Sequence, residues 1–101
     1  MTEVYGNIEH GRYIVQMDGH ADGDPIVCSA ISGITYALLG YLINATEDGL
    51  AIPYKNDVAP GHVDIMYGID DDIIPVFHMF MIGLMQIEKK YPDLIRCEIN
   101  F

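Results

Sequence analysis

The alternation of apolar and polar positions divides this chain into short β segments and two long apolar runs. Residues 2–9 and Arg12–Met17 read as two strands joined by His10-Gly11, and Tyr13-Ile14-Val15 is rich in β-formers. An X-Gly pair between two such runs signals a hairpin, because Gly accepts a positive φ. Asp18 to Asp24 carries two glycines and three aspartates and breaks the pattern as a loop. From Pro25 the period changes: Val27, Ile31, Ile34, Leu38 and Leu42 step by three or four, which marks a helical face. Pro suits a first helical position, where its missing N–H leaves nothing unpaired, and Asp24 then stands as the N-cap. Ala30, Gly33, Ala37 and Gly40 add a stripe of small residues that permits close packing. The helix is apolar nearly all round, so it is expected to be mostly buried and to end near Asn44–Gly49.

Leu50–Asn56 and His62–Tyr67 read as a second strand pair, separated by Asp57-Val58-Ala59-Pro60-Gly61. In the latter strand Val63, Ile65 and Tyr67 alternate with His62, Asp64 and Met66, so one face is buried. Asp70-Asp71-Asp72 precedes an uncharged run from Ile73 to Ile87, with Lys89 and Lys90 behind it. Acids at the start and cations at the end suit a helix dipole, and Pro92 stops this second helix. Leu94–Phe101 closes the chain as a strand, with Ile95, Cys97, Ile99 and Phe101 on one face and Arg96, Glu98 and Asn100 on the other. The order ββαββαβ predicts a single α+β domain, a mainly antiparallel sheet packed with two helices. No internal repeat, linker or low-complexity segment interrupts it. Two helices this apolar resist full solvation on any side, which predicts a homodimer.

Composition narrows the function. The chain has 101 residues, half of them apolar, with 15 Asp+Glu against 5 Lys+Arg and a formal charge of −10. That balance argues against direct nucleic-acid binding, which depends on cations meeting phosphates, and suits a basic partner. Two cysteines, Cys28 and Cys97, are too few for a disulfide-rich secreted scaffold, and the first residues lack a signal peptide's basic and apolar regions. The stretch from Pro25 to Thr46 has no Lys, Arg, Asp or Glu and is long enough to span a bilayer. It carries Ser29, Ser32, Thr35 and Asn44, however, and acidic flanks without the cations that orient membrane segments. The expectation is a cytoplasmic protein with no membrane span.

The loop before the first helix concentrates the chemistry: Gly19-His20-Ala21-Asp22-Gly23-Asp24-Pro25-Ile26-Val27-Cys28. With Pro25 opening the helix, Cys28 falls in the first turn, where unpaired amides and the dipole favour a thiolate. His20 sits just upstream on a glycine-hinged loop able to fold back over the helix start. A Cys with a His base in reach is the minimum for nucleophilic acyl transfer, and helix-start amides are suited to bind an oxyanion. The same residues also fit plainer roles. A lone Cys in an apolar helix packs as a small core residue, and a loop His is commonly just hydrogen-bonded. His20, Asp22, Asp24 and Cys28 could together be read as metal ligands, but no C-x-x-C, H-x-x-x-H or second ligand cluster supports a metal. Cys97 lies on an apolar strand face, His10 in a turn and His62 in a strand near a Pro-Gly turn, while His78, Met79, Met81 and Met85 fit helix packing. No Gly-rich phosphate loop follows a strand, and no cofactor is implied.

Gly19-His20-Ala21, followed by Ile26-Val27-Cys28 and then Ser32, resembles the signature of the ribosomal-processing cysteine protease family, Prp. The resemblance spans essentially the whole chain, including the element order and the closing segment from Gln86 to Pro92. It implies a cytoplasmic, usually homodimeric endopeptidase that removes an N-terminal extension from a basic ribosomal large-subunit protein. By the same resemblance His20 is the general base, Cys28 the nucleophile and Ser32 a residue that helps to orient substrate. Two departures stand out. Only seven residues separate His20 from Cys28, several fewer than is usual in the family, and Pro25 takes the place of an acid commonly found before Ile-Val-Cys. Asp22 or Asp24 is then the candidate replacement for that acid. The shortened loop also fits a phage-borne relative acting on a structural protein, or a catalytically inactive peptide-binding or assembly module. The absence of Lys and Arg between Arg12 and Lys55 predicts an acidic cleft that attracts a basic peptide.

Overall fold

Five segments of alternating pattern pair into one sheet in the computed structural model, which describes residues 1–21 and 23–100. Strands β1 (Thr2–Glu9) and β2 (Arg12–Asp18) form the first hairpin, turning at His10 and Gly11, whose φ values are +53° and +74°. Positive φ at both central residues is the turn whose twist matches that of paired strands. Helix α1 (Pro25–Glu47) follows, then β3 (Ala51–Ala59), β4 (His62–Ile69), a 3-10 turn at Asp71–Ile73, α2 (Ile74–Lys90) and β5 (Ile95–Asn100). The order across the sheet is β3-β4-β2-β1-β5. Only β1 and β5 run parallel; the other three pairings are antiparallel. The ββαββαβ, mainly antiparallel α+β architecture is thus as the sequence predicts.

The core lies between the helices and one face of the sheet. Val4, Tyr13, Val15, Met17, Ile65 and Ile95 of the strands meet Leu42, Phe77, Met81 and Leu84 of the helices, all of them buried. Gly83 of α2 is the point of close approach between the helices: a methyl added there would collide with Cδ1 of Ile34 on α1. Gly6 of β1 likewise lies under Met81.

Two expectations need correction. The second hairpin is longer than local propensity suggests: Asp57, Val58 and Ala59 pair with Asp64, Val63 and His62, and only Pro60-Gly61 is left to turn. Cross-strand pairing outweighs the weak β-propensity of Asp and Ala. Pro53 is tolerated because β3 is an edge strand, and the register shifts between Pro53 and Lys55. The first helix, secondly, is not mostly buried in the single chain. It sinks one stripe, Val27, Ile31, Thr35, Leu38, Leu42 and Ala45, while Ile26, Tyr36, Tyr41 and Ile43 stay exposed. It is long and apolar enough to cross a membrane by length and composition alone, yet this stripe packs it on the sheet. At Gly33 and Gly40 of the small-residue stripe an added methyl would meet none of the described residues outside the helix within 4 Å, so the stripe is left open to close packing.

Candidate active site

The site forms where β2 stops and α1 starts. Asp24 is the N-cap in extended conformation (φ −119°, ψ 95°), and its Oδ1 accepts from the amides of Ile26 (3.0 Å) and Val27 (3.1 Å). The next amide, that of Cys28, donates to the Asp24 carbonyl at 3.1 Å. Pro25 has no N–H. The expectation that helix-start amides are free to bind an oxyanion is therefore not met in this conformation, because Asp24 occupies all of them. Asp24 is not among the described residues that line the cleft below. Asp22, the other candidate acid, lies outside the described residues.

Cys28 is half-buried, and its thiol donates to the carbonyl of Ala21 at 3.4 Å. That carbonyl also accepts the Asp24 amide at 3.1 Å, so Ala21, itself buried, ties the loop to the helix start. His20, one residue earlier, is exposed, and no hydrogen bond to its ring is found among the described residues. The imidazole rests instead against Gly61 in the β3–β4 turn. A methyl on Gly61 would collide with Nε2 of His20 and lie 2.7 Å from Cε1 and 3.2 Å from Cδ2. The Gly19 amide donates to the Gly61 carbonyl at 2.9 Å, which moors the loop to the turn.

These elements enclose a cleft of about 120 Å³. His20, Cys28 and Ser32 all line it, with Tyr36 of α1 and with Val58, Pro60 and Gly61 of the β3–β4 hairpin opposite. Ser32 is exposed one helical turn after Cys28. The structure thus brings together three of the five residues singled out from sequence. The hairpin wall was missed, because it lies some forty positions downstream and its only local signal is the Pro-Gly turn.

His62, which also lines the cleft, bridges two acids. Its Nδ1 is 2.7 Å from Oδ1 of Asp18, and its Nε2 is 3.5 Å from Oδ2 of Asp57. The bond to Asp18, helped by the negative charges of Asp18 and Asp57, raises the His62 pKa above its usual value, against a smaller desolvation effect. Asp64 beside it, held by Lys55 and Gln16, is shifted down, first by the Lys55 hydrogen bond. Cys97 is the chemical opposite of a nucleophile. Burial, and then the Glu88 carboxylate, push its thiol up to about 12. Among the described residues no group of three or more His, Cys, Asp or Glu is arranged to hold a metal.

A family model described as cysteine protease Prp matches residues 1–96. No curated protein sequence matches the chain. Among solved structures, an essential ribosomal processing protease Prp from S. aureus, in complex with a covalently linked product peptide, is 27% identical with a TM-score of 0.75. That comparison covers 99% of this chain and 100% of the other. The same protease with a substrate peptide aligns at 23% identity and TM-score 0.70, covering 99% and 100%. SMU.848 from Streptococcus mutans aligns at 20% and 0.71, covering 98% and 93%; these last two bear on the fold alone. With a family model matched over nearly its full length, this chain belongs to the Prp family of cysteine proteases.

Proposed function

We propose that the chain cleaves an extended basic peptide, the N-terminal extension of a basic ribosomal large-subunit protein or a related phage structural protein. Cys28 is the nucleophile and His20 the general base. The observation that carries this is the convergence of His20, Cys28 and Ser32 in one cleft at a helix start. The covalently linked product peptide of the S. aureus relative supports a nucleophilic mechanism.

The steps follow from the chemistry of a Cys–His pair. The thiol leaves the Ala21 carbonyl and passes its proton to the His20 imidazole. Sγ then bonds to the scissile carbonyl carbon, and the carbonyl π pair moves to oxygen. When that pair returns, the C–N bond breaks and the departing amine takes the proton from His20. Water, deprotonated by His20, attacks the thioester; the C–S bond breaks, and the carboxylate product and the thiol are restored. Ser32 orients the peptide beside Cys28. The net charge of −10 draws a basic segment toward the protein, while the described residues lining the cleft itself include no carboxylate.

The homodimer belongs to the same proposal. Ile26, Tyr36 and Met79 are 75, 67 and 70% exposed, and Tyr41, Ile43 and Ile82 join them on the helices. A single chain leaves this apolar surface in water, whereas a second copy would cover it. A cytoplasmic setting is supported by two free thiols, Cys28 and Cys97.

One observation favours a second reading, a peptide-binding module without turnover: the Cys28 thiol donates to Ala21, and Asp24 occupies the helix-start amides. The test separates the two. Cys28→Ala should abolish cleavage of a basic peptide library while leaving the circular dichroism and melting curve unchanged. Binding without any Cys28-dependent cut would overturn the protease mechanism in favour of the module.

A further inference from the structure

The cleft borrows one wall from a hairpin remote in sequence, and something must hold that wall in register with His20. Backbone pairing contributes, since Asp18 and His62 are partners across β2 and β4 and the Gly19 amide reaches the Gly61 carbonyl. The side chains add a second tie. His62 follows the glycine on which the His20 ring rests, and Asp18 stands two residues before His20. The Nδ1–Oδ1 contact at 2.7 Å therefore joins the two stretches that hold the base, through a residue that itself lines the cleft. The 3.5 Å approach to Asp57 fastens the same ring to β3.

We propose that His62 is a positioning residue: bridged between Asp18 and Asp57, it locks the β3–β4 turn to the end of β2 and so fixes the His20 ring on Gly61. His62 lines the cleft, but in this role its ring nitrogens face Asp18 and Asp57. It rests on the reading of His20 as the general base, and it adds a pH response set by His62. A charged imidazole donates from both nitrogens, one to each acid. A neutral one has a single N–H, so one carboxylate then faces a lone pair and that half of the bridge is lost. The groups facing the ring are Asp18 from β2, Asp57 from β3 and Asp64 from its own strand, with Lys55 bound to Asp64. Glu3, across β1 from Asp18, is paired with Arg96. The acids hold His62 charged to a higher pH than a free imidazole. The bridge is therefore complete below the ordinary histidine range of about 6.5, and it loosens as pH rises through the elevated value.

The experiment is an NMR titration of the histidine Cε1–H signals and of Gly19 amide exchange, run beside a pH–rate profile for peptide cleavage. Wild type, His62→Gln and Asp18→Asn are compared, Gln being unable to titrate. In wild type the His20 signal should shift at the His62 midpoint, and Gly19 protection should fall above it. In His62→Gln both features should vanish. Its kcat at pH 6 should drop about tenfold, as for a catalytic group displaced by a fraction of an ångström, with KM unchanged within twofold. Asp18→Asn should lower the His62 midpoint. A wild-type His20 signal and Gly19 amide blind to the His62 titration would overturn the proposal, as would a wild-type pH profile in His62→Gln. If the coupling is present but wild type cuts nothing, the positioning role stands and the protease mechanism falls.

Discussion

Gly61→Ala tests the contact on which the site depends. Gly61 has a φ of +69°, so an alanine there adopts the left-handed conformation at about 1–2 kcal/mol. Its methyl would also fall 2.7 Å from Cε1 of His20 and collide with Nε2. Ordinary contact begins near 3.5 Å, so the ring must retreat by roughly 1 Å. His20 is exposed, and its retreat should add little to the loss of stability. The effect on catalysis is different, because a misplacement of about 1 Å lowers the rate on the order of 100-fold. Gly11→Ala supplies the control: φ there is +74°, also in a hairpin turn, and an added methyl meets none of the described residues within 4 Å. Urea melts should give the two variants similar losses of about 1–2 kcal/mol. Cleavage, or alkylation of Cys28 if the substrate is unknown, should separate them by well over tenfold. Equal activities in the two variants would refute the argument that Gly61 seats the His20 ring.

Other outcomes follow from the same structure. Asp24→Ala removes the acceptor for two first-turn amides and should cost about 1 kcal/mol, lowering the melting temperature by roughly 4–8 °C in calorimetry. Tyr13→Phe should raise the urea midpoint by an amount worth about 1 kcal/mol at constant m-value, because the Tyr13 hydroxyl is buried without a partner among the described residues. A destabilised variant would mean that this hydroxyl is satisfied. Iodoacetamide with site-resolved mass spectrometry should label Cys28 at pH 8 and leave Cys97 untouched, since burial and Glu88 hold the Cys97 thiol near 12. Because that folded value lies above the free-thiol value of about 8.5, the group's contribution to stability is complete below pH 8.5 and disappears as pH rises toward 12. Cys97→Ala should accordingly flatten the alkaline fall in stability.

Much of this protein is written in short-range chemistry. The first hairpin, the Pro25 start with its Asp24 cap, the element order and the approach of His20 and Cys28 to one cleft were all legible, because turns, caps and helix faces depend on neighbours within about four residues. The family resemblance rested on the same local stretch from Gly19 to Ser32. Other features needed chain segments far apart in sequence. The strand order and the parallel β1–β5 pairing come from burying both helices on one sheet face, which no alternation pattern specifies. The extension of β3 to Ala59 is imposed by its partner β4. Asp24 could be read as a cap or as an acid for His20, and only the folded loop commits its carboxylate to the helix amides. Gly61 and His62 gained their roles when the second hairpin folded over the start of α1, since a turn residue acquires a function through what it meets in space. Helix α1 reads as apolar on every side because pattern alone does not say which side the sheet will take. The sheet takes one stripe, and the remainder stays exposed.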